Sequence, residues 1–285
     1  MNLSLRRGSA NDAEACGRII YDAFKAIADN HKFSPDFPSV QIATGRVSTL
    51  LSHPSIYGVV SELDGRIVGS NFLDERSSIS GIGPISVDPT LQERGIGRRL
   101  MQDVLDRAGE SEAPGVRLLQ AGFNSRSLCL YTLLGFRTRE PISILQGKAI
   151  NTKIPGYNVR PATEVDAEAC NWLCREVHGH YRNGELSDAI RLHTASVVER
   201  GDRITGYTSA IAFFGHTVAE TNADAMALIA AAPEFGGPGF LVPTCNHELL
   251  SWCLGKKLRL VYQMTLMTIG LYNEPAGVWL PSVIY

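Results

Sequence analysis

The sequence predicts an α/β protein in two related halves, and three features predict it. Amphipathic helical segments alternate with short apolar strands, a block near the start recurs after residue 150, and one strand of the first half runs through a glycine-rich turn into a helix. At 285 residues the chain has length for two domains, and the punctuation by Pro141, Gly147, Pro155 and Gly156 places the boundary at 146/147.

Ser9-Ala-Asn-Asp12-Ala-Glu-Ala-Cys16 aligns with Thr163-Glu-Val-Asp166-Ala-Glu-Ala-Cys170 at an offset of 163 − 9 = 154, and Arg6 aligns with Arg160. In both blocks a hydroxyl precedes an aspartate by three residues, the pattern of a capping box at a helix start. After the first block, Cys16, Ile19, Ile20, Ala23, Phe24 and Ile27 follow helical spacing. Residues 60–68 read as strand, Asp64-Gly65 turn, strand. Residues 210–218 align with them at an offset of 150, and Pro238-Gly239 aligns with Pro114-Gly115 at 124. The second copy is therefore expected to lack 150 − 124 = 26 residues between its hairpin and this Pro-Gly.

That interval holds the most informative stretch of the first copy. Residues 80–89 lead into Gln92-Glu93-Arg94-Gly95-Ile96-Gly97, and Ile96, Leu100, Val104, Leu105 and Ala108 give the following helix an apolar face. A strand feeding a glycine-rich turn into a helix aims unpaired backbone amides, and the positive end of the helix dipole, at an anion. Arg94, Arg98 and Arg99 add positive charge. Downstream, residues 116–121 read as a buried strand, and Asn124 opens a short helix that stops at Gly135, a residue suited to the left-handed position after a helix.

Taken together these motifs resemble the GCN5-related N-acetyltransferase (GNAT) family. Gln92-x-x-Gly95-x-Gly97 is similar to its acyl-CoA pyrophosphate motif, and Asn124-x-x-Ser127-x-x-Leu130-Tyr131-x-x-Leu134-Gly135-Phe136 to its later Asn…Tyr motif, 27 residues beyond Gly97. The resemblance covers residues 3–145. It implies a mixed, partly splayed central sheet flanked by helices, followed by a reduced copy. It also implies acetyl-CoA as cosubstrate, without a metal, and transfer of acetyl to a primary amine of a small molecule, amino acid or peptide by direct attack. Carried over by position, the amides of Gln92, Glu93, Arg94, Gly95, Ile96, Gly97 and Arg98 would hold the pyrophosphate. Ile85, Ser86 and Val87 would pair with the pantetheine arm and polarise the thioester. Asn124 and Ser127 would lie along the arm, and Tyr131 would protonate the departing thiolate. Glu93 stands where the family often has glycine, and its charge should point outward. The general base stays open among Asp74, Glu75, a water chain and a carboxylate at Tyr285, because residues 81–87 contain no acid.

In the second half Asn246 takes the place of Asn124 and Cys253 that of Tyr131, and Thr221 leads directly into a helix. This copy is expected not to hold acyl-CoA, but to shape the cleft, cover a sheet edge or support a homodimer. Residues 272–285 read as a hairpin ending in an apolar strand. Cys170, Cys174 and His178 share a helical stripe, but i to i+8 spans about 12 Å, too far for one ion, so packed side chains are expected. His178, His180 and His247 are read as packed or solvated residues rather than catalytic ones.

The formal net charge is −2, with 17 basic and 16 acidic residues before residue 150 and 10 and 13 after it. Neither half carries the basic excess of a nucleic-acid binder. No apolar leader and no stretch of membrane-spanning length is evident, and six scattered cysteines fit reduced thiols, so a cytoplasmic protein is expected. A non-catalytic acyl-CoA sensor and a transferase of longer acyl groups are the competing readings.

Overall fold

The computed structural model describes residues 3–285. The first half contains β1 (Leu3–Arg7), α1 (Ala13–His31), α2 (Val40–Ser52), β2 (Ile56–Leu63), β3 (Arg66–Asp74), β4 (Ile79–Ile82), β5 (Ser86–Val87), α3 (Ile96–Glu110), β6 (Gly115–Ala121), α4 (Ser125–Leu133) and β7 (Arg137–Gln146). The second contains β8 (Asn158–Pro161), α5 (Ala167–His178), α6 (Asn183–Arg191), β9 (Ser196–Arg200), β10 (Arg203–Thr208), β11 (Thr217–Ala219), α7 (Asn222–Ala231), β12 (Phe240–Pro243), α8 (His247–Gly255), β13 (Arg259–Gly270) and β14 (Val278–Leu280). Among the described residues no helix is long and apolar enough to cross a membrane.

Both capping boxes form, each on a short 3-10 turn just ahead of its helix. Asp12 accepts from the Ser9 amide and from both terminal nitrogens of Arg6, and Asp166 does the same with Thr163 and Arg160. Each aspartate is buried, so its charge is matched in place by a guanidinium and a helix start. Arg6 holds Asp12 down at about 2, and Arg160 holds Asp166 well below the usual carboxylate range. Carboxylates depressed by folding stabilise the protein above their unfolded pKa, near 4, and that stability drains away as pH falls through the folded value. The melting temperature is therefore expected to fall between about pH 4 and pH 2. Asp12→Asn should cost about 2 kcal/mol at neutral pH and flatten that slope in urea titrations; an unchanged slope would count against the pairing.

The main sheet is mixed, in the order β1-β2-β3-β4-β6-β13-β7-β12, with β5 also on β3. Its one parallel pairing is β4 with β6. On one face α3 and α4 cover Val59, Val68 and Leu118. On the other, α1 and α2 cover Val60 and Phe72, and the second half covers Ile142, Ile144 and Leu266.

The second half enters this sheet by an exchange of strands. β13 lies between β6 and β7, and β12 lies outside β7. The registers repeat: Arg117 pairs with Thr268 and Ile144 with Leu241, where 241 − 117 = 124 and 268 − 144 = 124. Thr265 faces Pro141, also 124 apart, so a pseudo-twofold axis passes between them. Each copy thus lends a strand, β7 or β13, to the other.

Two alignments of the sequence are corrected. The counterpart of the β2–β3 hairpin is β9–β10, turning at Gly201-Asp202, and residues 210–218 instead lead into β11. The offset at the hairpin is 201 − 64 = 137, so the later deletion is 137 − 124 = 13 residues, not 26. It removes the same element, since only Glu220 and Thr221 separate β11 from α7. Residues 272–285 form no hairpin. β14 pairs antiparallel with β11 and lies against β12, filling the gap that the first half leaves open between β4 and β6.

Candidate active site

The open feature of the first half is the separation of β4 and β6. They pair over Ile79–Gly81 and Gly115–Arg117 and then part. Along β3, Leu73 pairs with Ile82 and Ser70 with Ser86, so three steps on β3 face four on its partner. The extra residue is a bulge at 83–85, which turns the chain away from β6. Beyond Arg117, β6 pairs only with β13, and its side toward β5 carries unpaired backbone.

β5 leads into a short turn, Pro89–Leu91, fixed by the Asp88 carboxylate accepting from the amide and hydroxyl of Thr90 at 2.9 and 2.7 Å. Gln92 donates to the Val87 carbonyl (3.4 Å). Glu93 and Gly95 follow in the left-handed region, φ 68° and 79°. This explains the glycine at 95, and shows that residue 93 needs the same backbone although a glutamate stands there. Its side chain is exposed and ion-paired at 2.8 Å to Arg126 of α4. Gly95 caps α3 with no side chain accepting from the first turn, so the amides of Ile96, Gly97 and Arg98 remain available. A Cβ at Gly97 would meet Leu130 and Val87 only at 3.8 Å, so its surface is open to a ligand.

The opposite wall begins at Asn124. Its side-chain oxygen accepts from the Ser127 amide (3.2 Å) and caps α4, leaving its amide nitrogen for a ligand. Ser127 donates to the Asn124 carbonyl (3.0 Å) and accepts from Gln120 (3.1 Å). One turn on, Tyr131 is buried edge-on to Phe136, ring centres 6.0 Å apart. Burial pushes its phenol above the usual range, so it stays protonated at neutral pH. Half-buried Ile85, Val87, Leu128 and Leu130 cluster with it. The residues fit a long flexible ligand with an anionic head: free amides at one end, an apolar slot, and an open strand edge between.

Residues 54–138 match the acetyltransferase (GNAT) domain family. No curated relative matches the chain. Among solved structures, a putative acetyltransferase from Pyrococcus horikoshii is similar at 17% identity, covering 97% of this chain and 92% of that one, with a TM-score of 0.76. A GCN5-related N-acetyltransferase from Sphaerobacter thermophilus is 14% identical, with coverages of 95% and 96% and a TM-score of 0.63. A tandem GNAT protein from the clavulanic acid biosynthesis pathway is 13% identical, with coverages of 94% and 98% and a TM-score of 0.56. At these identities the likeness is one of fold, and it extends over both halves.

Within the matched segment, both acidic candidates for the base are engaged elsewhere. Arg76 grips Asp74 with two nitrogens (2.9 and 2.6 Å) and reaches Asp188 at 3.0 Å, while Arg107 holds Glu75 at 2.9 and 3.2 Å. Tyr285 is buried between the halves, its ring 4.1 Å from the Arg117 guanidinium and 4.6 Å from that of Arg182. Its backbone oxygen accepts from Arg182, which also pairs with Glu185. That oxygen is therefore committed to a guanidinium rather than free to take a proton.

The preceding Ile284 carbonyl lies so close to Gly81 that a Cβ there would overlap it. Gly81→Ala is accordingly expected to dislodge residues 282–285 and cost about 2 kcal/mol in denaturant titrations, a large effect for one methyl group; wild-type stability would contradict this contact.

His178 and His216 are fully buried with Nε2 atoms 3.1 Å apart, and burial holds both well below the usual range, hence neutral. His180 bonds the Tyr285 hydroxyl at 3.2 Å and is held at about 4. Cys170 and Cys174 are buried thiols on α5, and Cys253 is buried on α8 at the position equivalent to Tyr131.

Sequence reasoning missed Arg117, Arg182 and the aromatic cluster around Phe123. Arg117 lies inside an apolar-looking strand, and its Nε has no hydrogen-bond partner. The one signal available was a charged residue at that position of a buried strand.

Proposed function

We propose that the chain is an acyl-CoA-dependent N-acetyltransferase that moves an acetyl group from acetyl-CoA to a primary amine by direct attack. The observation that carries this is the parting of β4 from β6 with the Gln92–Gly97 loop at one end and Asn124 and Tyr131 at the other. The free amides of Ile96, Gly97 and Arg98 would bind the pyrophosphate. The backbone of Ile85, Ser86 and Val87 would pair with the pantetheine arm and hold the thioester oxygen, and the Asn124 amide would donate to the arm. Acetyl-CoA supplies the activated acyl carbon. Tyr131, kept protonated by burial, would give its proton to the departing sulfur.

The second half, with no equivalent loop and with β14 in its gap, would act as a wall of the acceptor cleft and as a source of strands. The expected partner is a small-molecule or peptide amine, with no nucleic acid.

Calorimetry with coenzyme A and a free-thiol assay with acetyl-CoA against a panel of primary amines test the reading. Binding together with amine-dependent thiol release is expected. Binding with no turnover across a broad panel would favour a sensor instead, and faster turnover with longer acyl-CoA would reassign the acyl group.

A further inference from the structure

The bulged strand of the cleft carries no acid, and the chain after α1 brings a carboxylate to the aromatic rings around Phe123, the residue before Asn124. Phe123 lies in the turn that follows β6, immediately before Asn124 of the cleft wall. α1 packs on β5, and the chain leaving α1 brings Phe33 and Asp36 to this end of the sheet. Phe33 stacks on Phe123 (ring centres 4.8 Å), Tyr262 of β13 stands edge-on to Phe123 (5.3 Å) and tilted to Phe33 (5.4 Å), and His31 lies against Phe123 at 4.8 Å. Tyr262 is anchored there because the Gln263 carbonyl accepts from the Gly122 amide at 2.8 Å. Its hydroxyl donates to Oδ1 of Asp36 at 2.5 Å.

We propose that Asp36 is the counter-ion and general base for the acceptor, a primary amine carrying an aryl or other apolar group that lies on Phe33, Phe123 and Tyr262. This rests on the acyltransferase reading above. Aromatic faces attract an ammonium group, and a carboxylate held by one phenol keeps its other oxygen for the ligand. Asp36 takes the first proton of the ammonium and passes it to water. The freed amine forms the C–N bond as the C–S bond breaks. Tyr131 gives its proton to sulfur, and the second proton lost from nitrogen balances the one that Tyr131 regains from water.

Burial raises the Asp36 carboxyl to about 6 although the Tyr262 hydrogen bond pulls the other way, which suits a base working near neutrality. Tyr262 on β13 is the titratable group that bonds Asp36, and His31, at the end of α1, lies against Phe123.

Asp36→Asn keeps the shape and removes the charge. It should lower kcat/KM for an accepted arylalkylamine about 100-fold at pH 7 and erase the acid limb near pH 6, with coenzyme A affinity unchanged. Tyr262→Phe, a positioning change, should move that limb to higher pH. Independently of turnover, carboxyl-carbon NMR of the wild-type protein should show the Asp36 titration shifting to lower pH in phenethylamine. A wild-type rate and pH profile in Asp36→Asn, or an Asp36 titration unmoved by phenethylamine, would overturn the assignment. Failure of the wild-type protein to acetylate any amine, with the NMR shift intact, would refute the transferase reading and leave the ammonium site standing.

Discussion

Replacing Gly97 by aspartate is expected to abolish coenzyme A binding while leaving the fold intact. Gly97 has an ordinary helical backbone, and an added Cβ would find its nearest neighbours, Leu130 and Val87, at van der Waals distance. The protein itself therefore has room for a Cβ there. A bound phosphate leaves none: it needs close approach to the amides at the start of α3, and a carboxylate occupies that space and repels the charge. A loss of affinity of about 100-fold or more, about 2.8 kcal/mol, is expected by calorimetry, with the wild-type melting temperature. Retained affinity would remove the loop from the binding site.

Tyr131→Phe should have the opposite signature. The ring packs edge-on against Phe136 among apolar neighbours, so phenylalanine preserves the contact and the fold. What disappears is a proton that burial keeps on the oxygen at neutral pH. Turnover is expected to fall about 100-fold while coenzyme A affinity holds within about twofold. A fall in affinity with unchanged turnover would make Tyr131 a packing residue. The two variants together separate holding the cosubstrate from acting on it.

What could be read from the sequence was local. The Gly95 turn, the Asn124 cap and both Asp-centred capping boxes depend on residues within four positions of one another, and backbone geometry there admits few residue types. The hairpin of the second half was misplaced because its turn, Gly201-Asp202, reverses the order of Asp64-Gly65, and a short apolar resemblance at 210–218 drew the alignment away. Alternating apolar residues mark β13 as a strand but say nothing of its neighbours. Its place between β6 and β7 is fixed by pairing across more than 120 residues. The Asp36 cluster was illegible for the same reason: residues 33, 36, 123 and 262 meet only after the strand exchange, and none is unusual where it stands.

That exchange also sets an order of events during synthesis. When residues 1–146 have left the ribosome, β6 and β7 have no sheet between them, because the strand that joins them is 259–270. The wall that carries Asn124 and Tyr131 must wait, with two bare edges, until nearly the whole chain has been made. A premature stop anywhere before β13 would leave a translated binding loop with no second wall to face. The cleft therefore cannot assemble until the chain has been made through β13, and the second half is a structural part of it.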